Sequence, residues 1–323
     1  MTTLSAFSTV HQTDRRLAGV VTAMITPFSP DGELDTTAFG YLLDRQVGAG
    51  VGGISPVGTT GESPTLSSVE RETLIAAAVE AVASYDGASR PLVVAGTGTN
   101  DTAATIRATR RAAQLGADAA LVVAPYYNRP DQRMLEAHYR AVADEGDLPV
   151  VVYNVPGRTA SNVEADTLLR LAEHPRIVAL KEASGDLDQI AVILRDRPAG
   201  FSVLAGDDIW TLPLLALGGD GVVSVASNEI PAEMVALCAA AMSGEWQRAR
   251  TIHSHWLPLF RANFAGAPNP APVKAALAMM GLIDDRLRLP LLTLDQPHRQ
   301  RLAAVLQSAG IDVSDRVVEA VGA

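Results

Sequence analysis

The sequence predicts an α/β protein, a (β/α)8 TIM barrel followed by a C-terminal helical appendage. Three observations predict it. Short apolar runs rich in Val and Ile alternate with longer amphipathic stretches from Gly19 to about Ser227, as in parallel strands buried on both faces and the helices that cover them. Eight such runs occur in alternation, which suits a closed barrel. After the eighth, the texture turns to helices alone. A doubly wound open sheet is the alternative. It uses fewer strands per domain and carries a glycine phosphate fingerprint after its first strand. Gly96-Thr97-Gly98 is too short to be one.

In order, the predicted strands are Val20–Ile25, Gly53–Pro56, Leu92–Ala95, Ala119–Val123, Val150–Tyr153, Ile177–Leu180, Phe201–Leu204 and Gly221–Val225. The predicted helices between them are Thr36–Ala49, Ser67–Ser84, Asp101–Leu115, Arg133–Asp144, Ala165–Ala172, Leu187–Arg195 and Ile209–Leu217. Several begin with Ser, Thr or Asp, which cap helix N-termini, and two end near Gly116 and Gly218, as C-caps do. Helices follow at Ala232–Met242, Trp246–Asn263, Ala271–Met280 and Pro297–Ala309. Residues 1–18 read as an N-terminal extension, 19–231 as the barrel and 232–323 as the C-terminal helical region.

Composition narrows the function. A formal net charge of -10 argues against a nucleic-acid partner, which wants a basic face. It also means that an anionic substrate must be caught by local positive groups. The single cysteine, Cys238, forms no intramolecular disulfide and suits a reducing compartment. Neither a signal-peptide core near the N-terminus nor a run of membrane-spanning length is found. The expectation is a soluble cytoplasmic protein. The chain has 24 arginines and only two lysines, Lys181 and Lys274. Arginine replaces lysine on a solvated surface but cannot do amine chemistry, because its guanidinium stays protonated. Lys274 reads as a chance survivor of that bias. Lys181 does not, because of where it lies.

In a barrel of this kind the chemistry sits where strands end. Lys181 ends the sixth apolar run. A lysine there either snorkels or pairs with a carboxylate, or it is a desolvated amine able to add to a carbonyl. An ordinary lysine, with a pKa of about 10.4, is almost wholly protonated at neutral pH, so it needs that burial. Tyr153 ends the fifth run, one βα unit earlier, and its phenol can shuttle protons to the same mouth; alone it reads equally as a buried aromatic. Gly58-Thr59-Thr60-Gly61-Glu62 follows the second run as a tight turn whose N–H groups can hold a small carboxylate, or as an ordinary polar loop. Pro125-Tyr126-Tyr127-Asn128 follows the fourth run as an aromatic corner suited to an interface. Gly206-Asp207-Asp208 follows the seventh, and reads better as a close approach plus a helix cap at Asp208 than as a metal site. His253 and His255 lie two apart on a predicted helix and do not share a face, and no Cys/His cluster has zinc spacing. No metal is expected.

Together these segments resemble the dihydrodipicolinate synthase branch of the pyruvate aldolase superfamily. The motifs are GTTGES (Gly58–Ser63), PYYNRP (Pro125–Pro130), YNVPGRT (Tyr153–Thr159), KEASG (Lys181–Gly185), GDD (Gly206–Asp208) and GVVSV (Gly221–Val225), with NPAPVK (Asn269–Lys274) and LRLP (Leu287–Pro290) later. The resemblance covers about Gly19 to Ala309. It implies a class I aldolase of lysine and diaminopimelate biosynthesis that condenses pyruvate with L-aspartate 4-semialdehyde. It implies that Lys181 forms the Schiff base and that Tyr153 is proton donor and acceptor. Thr59 then relays protons between Tyr153 and Tyr127, the latter supplied by a neighbouring subunit of a homotetramer built as a dimer of dimers. Thr60 and the Val223 backbone bind pyruvate, with Gly206 close by, and Arg158 holds the carboxylate of the semialdehyde. The protonated imine is the electron sink, so no cofactor is implied.

Arg158 and the Thr59-Thr60 pair separate this branch from the sialic acid lyases and sugar-acid aldolases it resembles at the lysine and tyrosine. A pyruvate aldolase of other aldehyde specificity is the first alternative. A catalytically silent barrel acting as a binding subunit is the second, and the presence of all four groups speaks against it. Two features depart from the family pattern. Val223 stands where isoleucine is common. Ser68 and Ala104 stand where lysine-inhibited members often carry histidine and glutamate, although Asn100 and Tyr126 remain. Weak or absent lysine feedback is therefore expected.

Overall fold

The computed structural model describes residues 17–313 apart from 86, 88 and 89. Nearly all of the N-terminal extension, and the last ten positions of the C-terminal region, lie outside the described residues. Eight strands pair in parallel in chain order: β1 (Gly19–Ala23), β2 (Gly53–Ser55), β3 (Leu92–Gly96), β4 (Ala119–Val123), β5 (Val150–Asn154), β6 (Ile177–Glu182), β7 (Ser202–Ala205) and β8 (Gly221–Ser224). β8 pairs with β1, so the sheet is a closed barrel. Closure leaves no unpaired edge.

The helices are α1 (Thr36–Ala49), α2 (Ser68–Ala83), α3 (Thr102–Leu115), α4 (Gln132–Glu145), α5 (Pro156–Thr159), α6 (Ala165–Ala172), α7 (Leu187–Asp196), α8 (Thr211–Ala216), α9 (Pro231–Met242), α10 (Trp246–Ala262), α11 (Ala271–Met279) and α12 (Gln296–Ser308). Local chemistry sets their ends. Ser67 and Glu70 form a reciprocal capping box on α2, and Asp35, Asp101 and Asp131 cap α1, α3 and α4 through their side chains. Gly50 and Gly116 end α1 and α3 with φ of 77° and 95°, which costs a glycine little.

Three differences from the sequence prediction have physical causes. β6 runs two residues past its apolar stretch, because the ladder continues through Tyr153↔Lys181 and Asn154↔Glu182. The helix expected over Ile209–Leu217 is split into a 3-10 turn at Asp208–Trp210 and the short α8. The single turn α5 was not expected; Pro156 at its first position supplies the required φ.

Strand alternation sorts side chains into two cores. Alternate residues Val21 and Ala23, Leu92 and Val94, Ala119 and Leu121, Val151 and Tyr153 pack inside the barrel with Ala179, Leu204 and Val223. Leu17 lies with them. The intervening residues, among them Val93, Val122, Val152 and Leu180, face the helices in the larger core. The barrel is a packed body rather than a pore: the void bounded by Leu17, Val21, Ser55, Val94, Leu121, Val151, Leu204 and Val223 is about 10 Å³. Period two therefore places Lys181, two residues after Ala179, at the top of the interior row. Among the described residues, no helix is long and apolar enough to cross a membrane.

Leu204 is the β7 partner of Lys181 and fully buried. Leu204→Ala is expected to cost about 2–5 kcal/mol of stability by leaving a cavity beside the amine. Urea unfolding midpoints at unchanged slope check this.

Candidate active site

The top of the barrel interior is built from two neighbouring strand ends. Tyr153 on β5 and Lys181 on β6 are register partners, and Lys181 Nζ lies 4.2 Å from the centroid of the Tyr153 ring. Lys181 is 4% exposed. Burial pulls its pKa down to about 8, with Arg158 adding to the fall; Asp208 and Asp207 oppose it. Relative to an unshifted lysine, the neutral fraction at pH 7 rises by roughly three-hundredfold. Burial drives the Tyr153 hydroxyl the other way, up to about 12, against the pull of Arg158 and of a hydrogen bond with Thr59. Tyr153 thus holds its proton at neutral pH, while the amine beside it loses one readily.

The outward neighbours fix the strand ends. Asn154 Nδ2 donates to both carboxylate oxygens of Glu182 at 3.3 and 3.1 Å, and Asn154 Oδ1 accepts from Val163 N–H at 2.9 Å. Ser184 N–H donates to Glu182 at 2.6 Å. These contacts tie β5, β6 and the chain after each into one rigid ledge behind Tyr153 and Lys181. Gly206 extends the ladder with an N–H donated to Glu182 O at 2.7 Å. A Cβ there would stand 2.7 Å from that of Ala183, so the close approach requires glycine.

The loop after β2 supplies hydroxyls. Gly61 and Ser63 donate their N–H groups to Gly58 O, and Glu62 donates to Thr59 O at 3.1 Å, so the turn expected there is formed. Three of its N–H groups are thereby used internally. Among the described residues, those of Gly58, Thr59 and Thr60 take no acceptor within the chain. Val57 and Glu62 hold φ of 61° and 53° without being glycine, a strained pair on either side of these donors. Thr59 reaches Tyr153. Thr60 is buried, and its hydroxyl accepts from Asn269 Nδ2 at 2.9 Å.

Arg158 lies on α5 at the mouth, with Nη2 3.5 Å from Asn269 O, near enough to Tyr153 and Lys181 for its charge to bear on both. Val223 is buried in the interior core on β8. Tyr127 stands apart: it is 89% exposed and holds φ of 74°. The structure thus brings together Lys181, Tyr153, Thr59, Thr60 and Arg158, with Gly206 just after β7 and Val223 on β8.

Two readings need correction. Asp207, not Asp208, caps the turn after β7, by accepting from Ile209 N–H. Asp208 is wholly buried and accepts from Ser224 Oγ at 2.5 Å and from the N–H groups of Val225 and Ala226 at 3.1 and 2.9 Å. It fixes the exit of β8, and burial raises its pKa to about 6. Lys274 is no chance survivor: it is 0% exposed and pairs with Glu62. Asn269, which touches both Thr60 and Arg158, was missed as a site residue. Its only sequence signal was its place in NPAPVK, over two hundred positions from Thr60. Among the described residues, no three His, Cys, Asp or Glu side chains gather as a metal-holding group.

A buried amine of lowered pKa, held against a protonated phenol at the C-terminal mouth of a (β/α)8 barrel, defines a class I aldolase, an enzyme that works through a lysine Schiff base. The sequence profile of the Dihydrodipicolinate synthetase family matches residues 16–309. This chain belongs to that family. The 4-hydroxy-tetrahydrodipicolinate synthase of Koribacter versatilis is 46% identical over 297 residues, covering 92% of this chain and 97% of the relative. The crystal structure of dihydrodipicolinate synthase from Aquifex aeolicus superposes with a TM-score of 0.88 at 42% identity, covering 92% of this chain and all of that one. The chloride-inhibited dihydrodipicolinate synthase of Acinetobacter baumannii, solved in complex with pyruvate, gives 0.87 at 40% identity, covering 91% of this chain and 99% of the other.

The buried amine has a cost that pH reveals. Below about 8, folded and unfolded chains both hold the Lys181 proton, and the fold bears the full penalty of a buried charge. Between about 8 and the ordinary lysine value, the unfolded chain holds a proton that the folded one has lost, so stability rises with pH. Lys181→Met is therefore expected to raise stability at pH 7, by up to about 3 kcal/mol. The gain should vanish as pH climbs through 10. Urea midpoints of parent and variant at pH 7 and pH 10 check both sign and window.

Proposed function

We propose that this chain catalyses the 4-hydroxy-tetrahydrodipicolinate synthase reaction of lysine and diaminopimelate biosynthesis, condensing pyruvate with L-aspartate 4-semialdehyde. The observation that carries it is the 4.2 Å stacking of a buried, readily deprotonated Lys181 on Tyr153. Arg158 at the mouth, and the Thr59-Thr60 donors opposite, supply a place for each substrate's carboxylate.

Neutral Lys181 adds to the ketone carbon of pyruvate, and Tyr153 gives its proton to the ketone oxygen. Tyr153 recovers a proton from the nitrogen through Thr59 as the carbinolamine forms. Tyr153 gives its proton to the carbinolamine hydroxyl, which leaves as water while the nitrogen lone pair makes the C=N bond of the protonated imine. The imine draws electrons from the methyl C–H bond, the Tyr153 phenolate takes that proton, and an enamine remains. Its carbon attacks the aldehyde of the semialdehyde, the protonated imine is restored, and the new alkoxide takes the proton of Tyr153. The neutral amino group of the bound semialdehyde then displaces Lys181 as a neutral amine, which closes the ring, and the ring nitrogen returns its proton to the Tyr153 phenolate.

Each residue has its part in this scheme. Thr60 and the Val223 backbone hold the pyruvate carboxylate, with Gly206 giving room beside them. Arg158 offers a planar fork to the second carboxylate on a protein whose net charge repels anions. Tyr127 serves the Thr59 relay of a second copy. Its exposure and left-handed backbone suit a side chain offered outward, and assembly as a homotetramer belongs to the same reading.

A coupled assay with pyruvate, the semialdehyde and excess downstream reductase is expected to show NADPH loss. Lys181→Ala should abolish it, and Tyr153→Phe should lower kcat by about 10²–10⁴. No loss in a parent whose pyruvate adduct is trapped by borohydride would move the chain to another aldehyde. Arg158→Ala is expected to raise KM for the semialdehyde roughly tenfold to hundredfold while leaving the pyruvate adduct intact. Initial rates over both substrate concentrations, with mass spectrometry of the trapped adduct, check this pattern.

A further inference from the structure

The second lysine is the feature that the reaction leaves unexplained. Lys274 on α11 and Glu62 on the loop after β2 both have side chains at 0% exposure, and Lys274 Nζ donates to Glu62 Oε1 at 2.6 Å. Nζ also donates to Arg286 O at 2.6 Å and stands 4.3 Å from the centroid of the Phe28 ring. The other Glu62 oxygen accepts from Arg288 N–H at 3.1 Å. A compact ammonium on an unbranched stem fits this closed cage. A planar guanidinium with five donors does not, which explains a lysine in a chain that otherwise uses arginine.

Swapping a buried ion pair for apolar groups is often neutral or stabilising, so its stability contribution does not explain it. What it reaches does. Glu62 N–H donates to Thr59 O, the Thr59 side chain bears on the Tyr153 hydroxyl, and the Lys181 amine lies over the Tyr153 ring. The two lysines of the chain thus stand at opposite ends of one line of contacts. Asn269, just before α11, holds Thr60 from the same side. Glu62 holds a left-handed φ of 53°, and both oxygens of its carboxylate are bound.

We propose that Lys274 is a positioning residue: acting through Glu62, it sets the orientation of Thr59 and Thr60 toward pyruvate. The proposal rests on the functional reading above, in which these two residues meet that substrate. Lys274 touches no reacting atom. Its contribution is to hold the relay hydroxyl and the carboxylate donors in place against the strain of their loop.

The test uses two variants of the full chain. Lys274→Met/Glu62→Gln removes both charges, so neither is left buried alone. Glu62→Asp keeps both and shortens the reach by one methylene. In each, KM for pyruvate is expected to rise about tenfold to a hundredfold, KM for the semialdehyde to stay at the parent's value, and borohydride trapping of pyruvate to slow. Tm in the same samples separates this from unfolding. Should the double variant fail to fold, Glu62→Asp decides alone. Parental pyruvate KM in a folded variant overturns the proposal. No pyruvate adduct in the parent overturns the functional reading and the proposal with it; an adduct in the parent beside an unaffected variant overturns the proposal alone.

Discussion

One ammonium kept out of water is the constraint on which this site depends. The barrel interior is dry because eight strands close on themselves and alternate small and branched side chains inward. A lysine at the top of that interior row is only 4% exposed, and its proton is held loosely as a result. The same dryness strengthens the hold of Tyr153 on its proton. One environment thus sets an acid and a base from two groups that would both be protonated in solution. Asp207 and Asp208 temper the effect, and neither pairs directly with the amine among the described residues.

The two lysines show how differently one side chain is treated by its surroundings. Lys274 is given a carboxylate, a carbonyl and an aromatic face, and the carboxylate opposes the fall in pKa that its burial causes. Lys181 is given an aromatic face and no carboxylate at hydrogen-bond distance among the described residues. Such pairing suits a fixed joint between α11 and the β2 loop. Incomplete satisfaction suits a nucleophile, which must be free to lose its proton and to change partners.

Much of this was legible in the sequence because it is local. Strands and helices announce themselves within a dozen residues through period and caps, and most boundaries fall within two positions of expectation. Lys181 and Tyr153 stood out because each ends an apolar run. What was not legible is long-range. Nothing near Asp208 signals that its carboxylate serves the backbone of Val225 and Ala226 rather than its own helix. Lys274 looked incidental because Glu62 lies 212 positions away in the chain. Asn269 was noted only within NPAPVK, because its partners Thr60 and Arg158 come from two different βα loops. α5 escaped because a single turn has no period to detect.

That both lysines lie inside the protein has a consequence for its reactivity as a reagent target. With Lys181 at 4% and Lys274 at 0% exposure, the outer surface of the molecule presents no ε-amino group at all. Acylating dyes, aldehyde fixatives and amine-directed crosslinkers, which decorate most proteins at many places, find no lysine on this surface. The ε-amine that keeps some exposure is Lys181 at the barrel mouth, and burial lowers its pKa to about 8. A reagent class known for poor selectivity thereby meets few ε-amines, without any engineering of the chain.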